Sequence, residues 1–242
     1  METKRLDPSI RKNLRDLLLG YIEHCEVSQH LMARIDFPIY YHGFKFGAPV
    51  FTHTGPALNG EEQRLIGLVG LNDSSSQIAS EILLQFMEIL SQQPRLADAS
   101  VLRIMPVANP VALELGDDAP EMAEFPILEH LVSQFHEQSV DGIVDISAND
   151  GNDYALEGQA PPSLLAALEH VRATVPQADE RSRVLVPENR NLQPVSLDER
   201  WHLKLSVPHT WTGAPEIHAV ARFLARLTQA HAWYLRPQRT SR

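Results

Sequence analysis

The sequence predicts an α/β fold: a mixed, mostly parallel sheet flanked by helices on both faces. Three observations point there. Apolar strand-like runs alternate with amphipathic helical runs from about residue 64 onward. The run "RLIGLVGL", 64–71, is continuously apolar, as in a strand buried on both faces. The first two strand-like runs follow one another without a helix between them, which makes the sheet mixed rather than all-parallel.

The elements follow in order. "DPSIRKNLRDLLLGYIEHCEV", 7–27, opens on Asp7-Pro8, a helix-start signal, and Leu14, Leu17, Leu18 and Ile22 share one face. "ARIDFPIYYHGF", 33–44, and "APVFTHTG", 48–55, read as two strands turning at "KFG", 45–47. After the 64–71 strand, Ile78, Ile82, Phe86 and Ile89 mark a helix. Ser74 with Gln77 fits a capping box at its start, and Asp73 places negative charge there.

"SVLRIMPVANP", 100–110, is a strand stopped by Asn109-Pro110, and "PILEHLVSQFHEQ", 126–138, is an amphipathic helix. "DGIVDISANDG", 141–151, is a short buried strand ending in a turn-prone run. "PPSLLAALEHVRATV", 161–175, is a helix, and "RVLVP", 183–187, a strand. "WHLKLSVPHTW", 201–211, is the last strand and "APEIHAVARFLARLTQAH", 214–231, the closing helix. One domain over 1–242 is expected, with 1–33 a helical N-terminal segment and 236–242 a flexible tail.

Composition excludes several classes. The 242 residues carry a net charge of −10, spread along the chain, which argues against a nucleic-acid surface. One cysteine, Cys25, rules out an internal disulfide and a cysteine metal cluster. No run of about 18 apolar residues is present, and the charged start lacks the apolar core of a signal peptide. A cytoplasmic protein without a membrane partner is expected. Its partner would be a small molecule or another protein, and its oligomeric state is left open.

Function in such a sheet belongs at the carboxyl ends of its strands. Those ends are "GLNDSS", "VANP", "DISANDG" and "LSVPH". Their order, with "YYHGFKFGAPVFTHTG", "PVANPVAL", "VDIS" and "LKLSVPHTWTGAPEIHAVARFLARL", resembles the zinc carboxypeptidase superfamily. The similarity extends to its succinylglutamate desuccinylase and aspartoacylase branch, over roughly residues 40–235. The resemblance implies a zinc-carboxypeptidase-like fold. It also implies a zinc held by two histidines and a glutamate, with a second glutamate as general base.

Laid onto this chain, the resemblance puts the first histidine on Leu71 and the ligand glutamate on Ser74. It puts the second histidine on Ser147 and the base on Ser206. An arginine that grips a substrate carboxylate would follow "VANP", where the chain reads "LELGDDAPEMAEFP". Leucine has no lone pair to offer and a neutral hydroxyl is a poor zinc ligand. The expectation is a pseudoenzyme, a non-catalytic relative that holds no metal or other cofactor and keeps a cleft for a ligand or partner. The alternative is a metal-dependent hydrolase (carboxypeptidase, amidase or deacylase of small acylated amino acids) with a relocated zinc.

The polar residues expected to line the cleft are His53, Asp73, Asn109, Asp145, Asn149 and His209. His53, Asp73, Asp145 and His209 are the parts assigned to a relocated site. Asp145 lies in an apolar strand and needs a partner, with Ser147 or Arg103 the candidates. "ANDGNDY", 149–154 with Ala148 before it, reads as a turn rather than a calcium loop. The three serines before the helix offer backbone amides to an anion but lack the glycines of a phosphate loop. His53, His202 and His209 are the histidines nearest strand ends. His130 and His136, six apart on one helix, cannot chelate together. Ser147 and Ser206 have no base nearby in sequence to make either a nucleophile, and no G-x-S-x-G occurs.

Overall fold

The structure is a computed structural model and describes residues 14–41, 43–56, 63–71, 76–115, 126–174, 185–196, 199–211 and 214–239. Its chain order is α1 (Leu14–Val27), β1 (Leu31–Tyr41), β2 (Phe44–Thr54), β3 (Arg64–Leu71), α2 (Ile78–Gln92) and β4 (Ser100–Met105). There follow α3 (Pro110–Leu115), α4 (Pro126–Glu137), β5 (Gly142–Asn149), β6 (Ala155–Ala160), α5 (Pro162–Thr174), β7 (Glu188–Pro194), β8 (Trp201–Pro208) and α6 (Ala214–Arg239). The eight strands form one sheet in the order β1-β2-β4-β3-β5-β8-β6-β7. The central β4, β3, β5 and β8 run parallel, while β1, β2 and β6 bring in antiparallel pairs.

Side-chain alternation divides each central strand between two faces. Ile66, Leu68, Leu102, Ile104, Val144, Ile146, Leu203 and Leu205 face the main core. They pack there with Leu17 and Tyr21 of α1, Ile82 and Phe86 of α2, Leu164 of α5 and Phe223 of α6. The opposite face carries a smaller apolar cluster, in which Val69 and Met105 meet Val132 and Phe135 of α4. Gly67 lets α4 come this close. A Cβ there would stand 2.2 Å from Ser139 Oγ and 2.9 Å from a Phe135 ring carbon. Helices therefore lie on both faces, as the sequence predicts. Among the described residues no helix is long and apolar enough to cross a membrane.

Several local expectations are corrected. The β1–β2 hairpin turns between Tyr41 and Phe44, where Gly43 takes φ 83°, and "KFG" continues β2 instead. The 149–154 turn leads into β6, a strand the sequence pattern does not announce. It pairs antiparallel with β8, and Gly158 at φ 124° lies against the His202 carbonyl, where an added side chain would collide. Of the strand expected at 183–187, residues 183 and 184 lie outside the described residues and 185–187 are not in a strand; β7 begins at Glu188, and its residues are mostly exposed, so no apolar run marks it. Helix α2 begins at Ile78 with Gln77 at the N-cap position and no side-chain cap hydrogen bond there, three residues later than the expected cap Ser74, which lies outside the described residues. Ser76 Oγ accepts from Ile78 N–H at 3.3 Å. Helix α6 runs through Arg239, into the segment expected as a tail. The expected helix start at Asp7-Pro8 and residues 240–242 lie outside the described residues.

Candidate functional site

The four parallel strands end on one edge of the sheet, at Met105, Leu71, Asn149 and Pro208. Strand pairing sets Leu71 abreast of Ser147, and Ser147 abreast of Ser206. Three positions marked by the family resemblance thus form one row across three neighbouring strands. All three are half-buried and on the α4 face. Ser74 and Asp73 lie outside the described residues.

At the same edge the structure brings Asn149 and His209 together. The Asn149 carbonyl accepts from His209 backbone N–H and from its Nδ1, both at 3.0 Å. A carbonyl only accepts, so Nδ1 carries the proton. Asp150 Oδ1 lies 3.9 Å from the same nitrogen. The Asn149 side chain is engaged in the turn, accepting from Gly151 N–H at 3.0 Å and donating to the Asp153 carbonyl at 2.8 Å. That is an Asx turn holding β5 to β6.

Two other expected cleft residues are buried. Asn109 is buried and its Oδ1 accepts from Ala112 N–H at 2.9 Å, capping α3, whose first residue is Pro110. His53 is fully buried on the main-core face, abreast of Leu102 and toward the amino end of β4, away from the strand-end edge. Among the described residues neither of its ring nitrogens has a hydrogen-bond partner. Burial, and then nearby His30, pushes its pKa down to about 4, so the ring is neutral at pH 7. His53, Asp145 and His209 therefore do not converge on one site.

Asp145 has partners other than those expected. His136 Nε2, from the last turn of α4, meets its Oδ1 at 2.9 Å, and His202 Nε2, from the start of β8, meets its Oδ2 at 2.7 Å. Burial alone would raise the carboxyl pKa. The two imidazole hydrogen bonds outweigh it and hold Asp145 below the ordinary carboxylate value. The two rings stand edge to face, centroids 5.4 Å apart. Arg103, the other candidate partner, instead lies 5.2 Å over the Phe135 ring and donates to Gln138 Oε1 at 2.6 Å.

Among the described residues these three side chains are the one His/Cys/Asp/Glu group placed to share a metal ion, with their donor atoms all within 4.8 Å of one another. Asp145 is buried and both histidines are partly open to solvent. In the sequence, His136 stands beside His130 on one helix and nothing links it to Asp145. The signal that could have found it is Asp145 itself, a carboxylate in an apolar strand that must be satisfied by something from another element.

No protein-family model and no curated protein matches the chain by sequence. Solved structures do match in fold. A metallo-carboxypeptidase from Burkholderia cenocepacia superposes with TM-score 0.60 at 11% identity, over 94% of this chain and 69% of that one. A provisionally assigned metallopeptidase from Shewanella baltica gives 0.58 at 12% identity, over 96% and 98%. A Pseudomonas aeruginosa metallo-carboxypeptidase, solved with (2-guanidinoethylmercapto)succinic acid, gives 0.52 at 12%, over 93% and 68%. The fold is that of the metallo-carboxypeptidases.

Proposed function

We infer that this chain is a non-catalytic relative of the metallo-carboxypeptidases whose strand-end edge serves as a binding surface. One observation carries the reading: the row Leu71–Ser147–Ser206 at the edge where the fold's zinc chemistry is expected. The donors present do not fit a zinc ion there. Leu71 offers no lone pair, and two neutral hydroxyls are weak ligands at neutral pH. A metal-activated water needs a gripped metal, and a serine at position 206 cannot take a proton as a carboxylate would.

What the edge does retain is hydrogen-bonding capacity: the Ser147 and Ser206 hydroxyls and the half-exposed His209 ring. A polar small molecule or a peptide segment is the occupant such groups suit. The test is hydrolysis of peptides and N-acyl amino acids by the full chain with added zinc. The reading expects no turnover above the protein-free rate. Zinc-dependent turnover would overturn it in favour of a relocated hydrolase, and its loss in His136→Gln or His202→Gln would place that chemistry at the Asp145 cluster.

A further inference from the structure

We propose that His136, Asp145 and His202 form a binding site for one divalent transition-metal ion of the zinc type, clipping α4 to β5 and β8. The position is separate from the strand-end row. Asp145 lies two residues before Ser147 on the same face of β5, about 7 Å toward the amino ends of the strands.

The donor set fits such an ion. Two imidazole nitrogens and one carboxylate come from three different elements, one helix and two adjacent strands. Imidazole selects zinc and its first-row neighbours over calcium or magnesium. Three protein ligands leave a fourth position for water, as in open zinc sites. The nitrogen–oxygen separations of 2.9 and 2.7 Å are hydrogen-bond distances. Ligand atoms around a tetrahedral zinc stand roughly 3.4 Å apart, so the nitrogens draw back slightly from the carboxylate and close on one another from within 4.8 Å.

In the metal-free state both Nε2 atoms carry protons shared with the carboxylate. For the ion to bind at Nε2, each neutral ring moves its single proton to Nδ1 by exchange with solvent, and the ion takes the place between nitrogen and carboxylate that the proton held. The site is held ready for this by packing. Phe135, next to His136, is fixed against Gly67, and Arg200 Nη1 donates to the His136 carbonyl at 2.8 Å. Lys204 stands abreast of Asp145 on β8 and is exposed. Its charge disfavours any cation held by electrostatics alone, so an ion here must be held by its imidazole bonds.

The experiment titrates the metal-free full chain with zinc against a colorimetric chelator. One equivalent should bind. His136→Gln and His202→Gln should each weaken binding at least about 100-fold, since each removes a direct ligand where even second-shell losses cost up to that much. Ser147→Ala should leave it unchanged. No stoichiometric binding, or binding kept in both folded histidine variants, overturns the proposal. Should a variant fail to fold, X-ray absorption of the zinc-loaded natural chain decides. Two imidazoles with oxygen ligands support the site, and sulfur from Cys25 or a different imidazole count overturns it. Hydrolysis is a separate readout, so failure here leaves the non-catalytic reading standing, and the reverse.

Discussion

Ser147 and Asp145 lie two residues apart on one face of β5, and their surroundings are opposite in kind. Ser147 sits at the strand-end edge between Leu71 and Ser206, a row of one hydrocarbon and two neutral hydroxyls. Asp145 sits under the end of α4, where two imidazoles from different elements reach its two oxygens. The fold's customary position for chemistry is thus poor in donors, and a position one step toward the strand starts is rich in them. Location in a fold says where a site can be built; converging lone pairs decide whether one is.

Acid gives the largest expected effect and sets both patches against a third region, the buried histidines. Burial holds His53 at about 4, and burial followed by Arg64 holds His231 at about 4. An ordinary histidine titrates near 6.5, so the unfolded chain takes up protons first. The stability these two rings contribute by staying neutral is complete above about pH 6.5 and is lost as pH falls toward 4. At pH 5 the loss is about 2 kcal/mol per histidine. Denaturant unfolding at pH 7 and pH 5 measures it, and His53→Leu should remove about half. The Asp145 contribution has a different window. It is present above the ordinary carboxylate range and disappears only as pH falls below about 4, through its depressed value.

Asp145→Ala comes next. It strips both imidazoles of their shared acceptor in a partly buried setting, and about 3 kcal/mol of unfolding free energy should go with it. A loss under about 0.5 kcal/mol by urea unfolding would mean that the cluster does not tie α4 to the sheet.

Gly67→Ala tests how α4 is seated. The new methyl meets Ser139 Oγ and the Phe135 ring, so about 2 kcal/mol should be lost, with a lower melting temperature. If α4 moves to make room, the His136–Asp145 contact goes with it, and zinc affinity should fall in parallel. The smallest effect belongs to the edge. Ser147→Ala and Ser206→Ala should each change stability by no more than about 0.5 kcal/mol, because both are half-buried and neither partners the charge at Asp145. A larger loss would mean that the row is structural and not a vacant surface.

Much of this fold is legible in the sequence. The continuous apolar run at 64–71 and the helical spacing of Ile78, Ile82, Phe86 and Ile89 place β3 and α2 directly. The family resemblance also picks out Leu71, Ser147 and Ser206, which strand pairing sets side by side. Strands β6 and β7 escape because they lie toward the sheet's far edge. Exposed polar residues in β7 and Gly158 in β6 leave neither an alternating nor a continuous apolar signal.

The Asp145 cluster escapes for another reason. His136 precedes Asp145 by 9 residues and His202 follows it by 57, on a helix and a strand whose approach depends on the glycine at position 67. No spacing rule spans that distance. His53 misleads in the opposite direction. It ends a strand-like run, but pairing to β4 turns it into the main core.

The most direct test is anomalous diffraction at the zinc edge from crystals of the full chain grown with zinc. The account predicts a peak beside Asp145, within bonding distance of His136 and His202, and none in the row Leu71–Ser147–Ser206. An ion held by protein side chains at that row would contradict it.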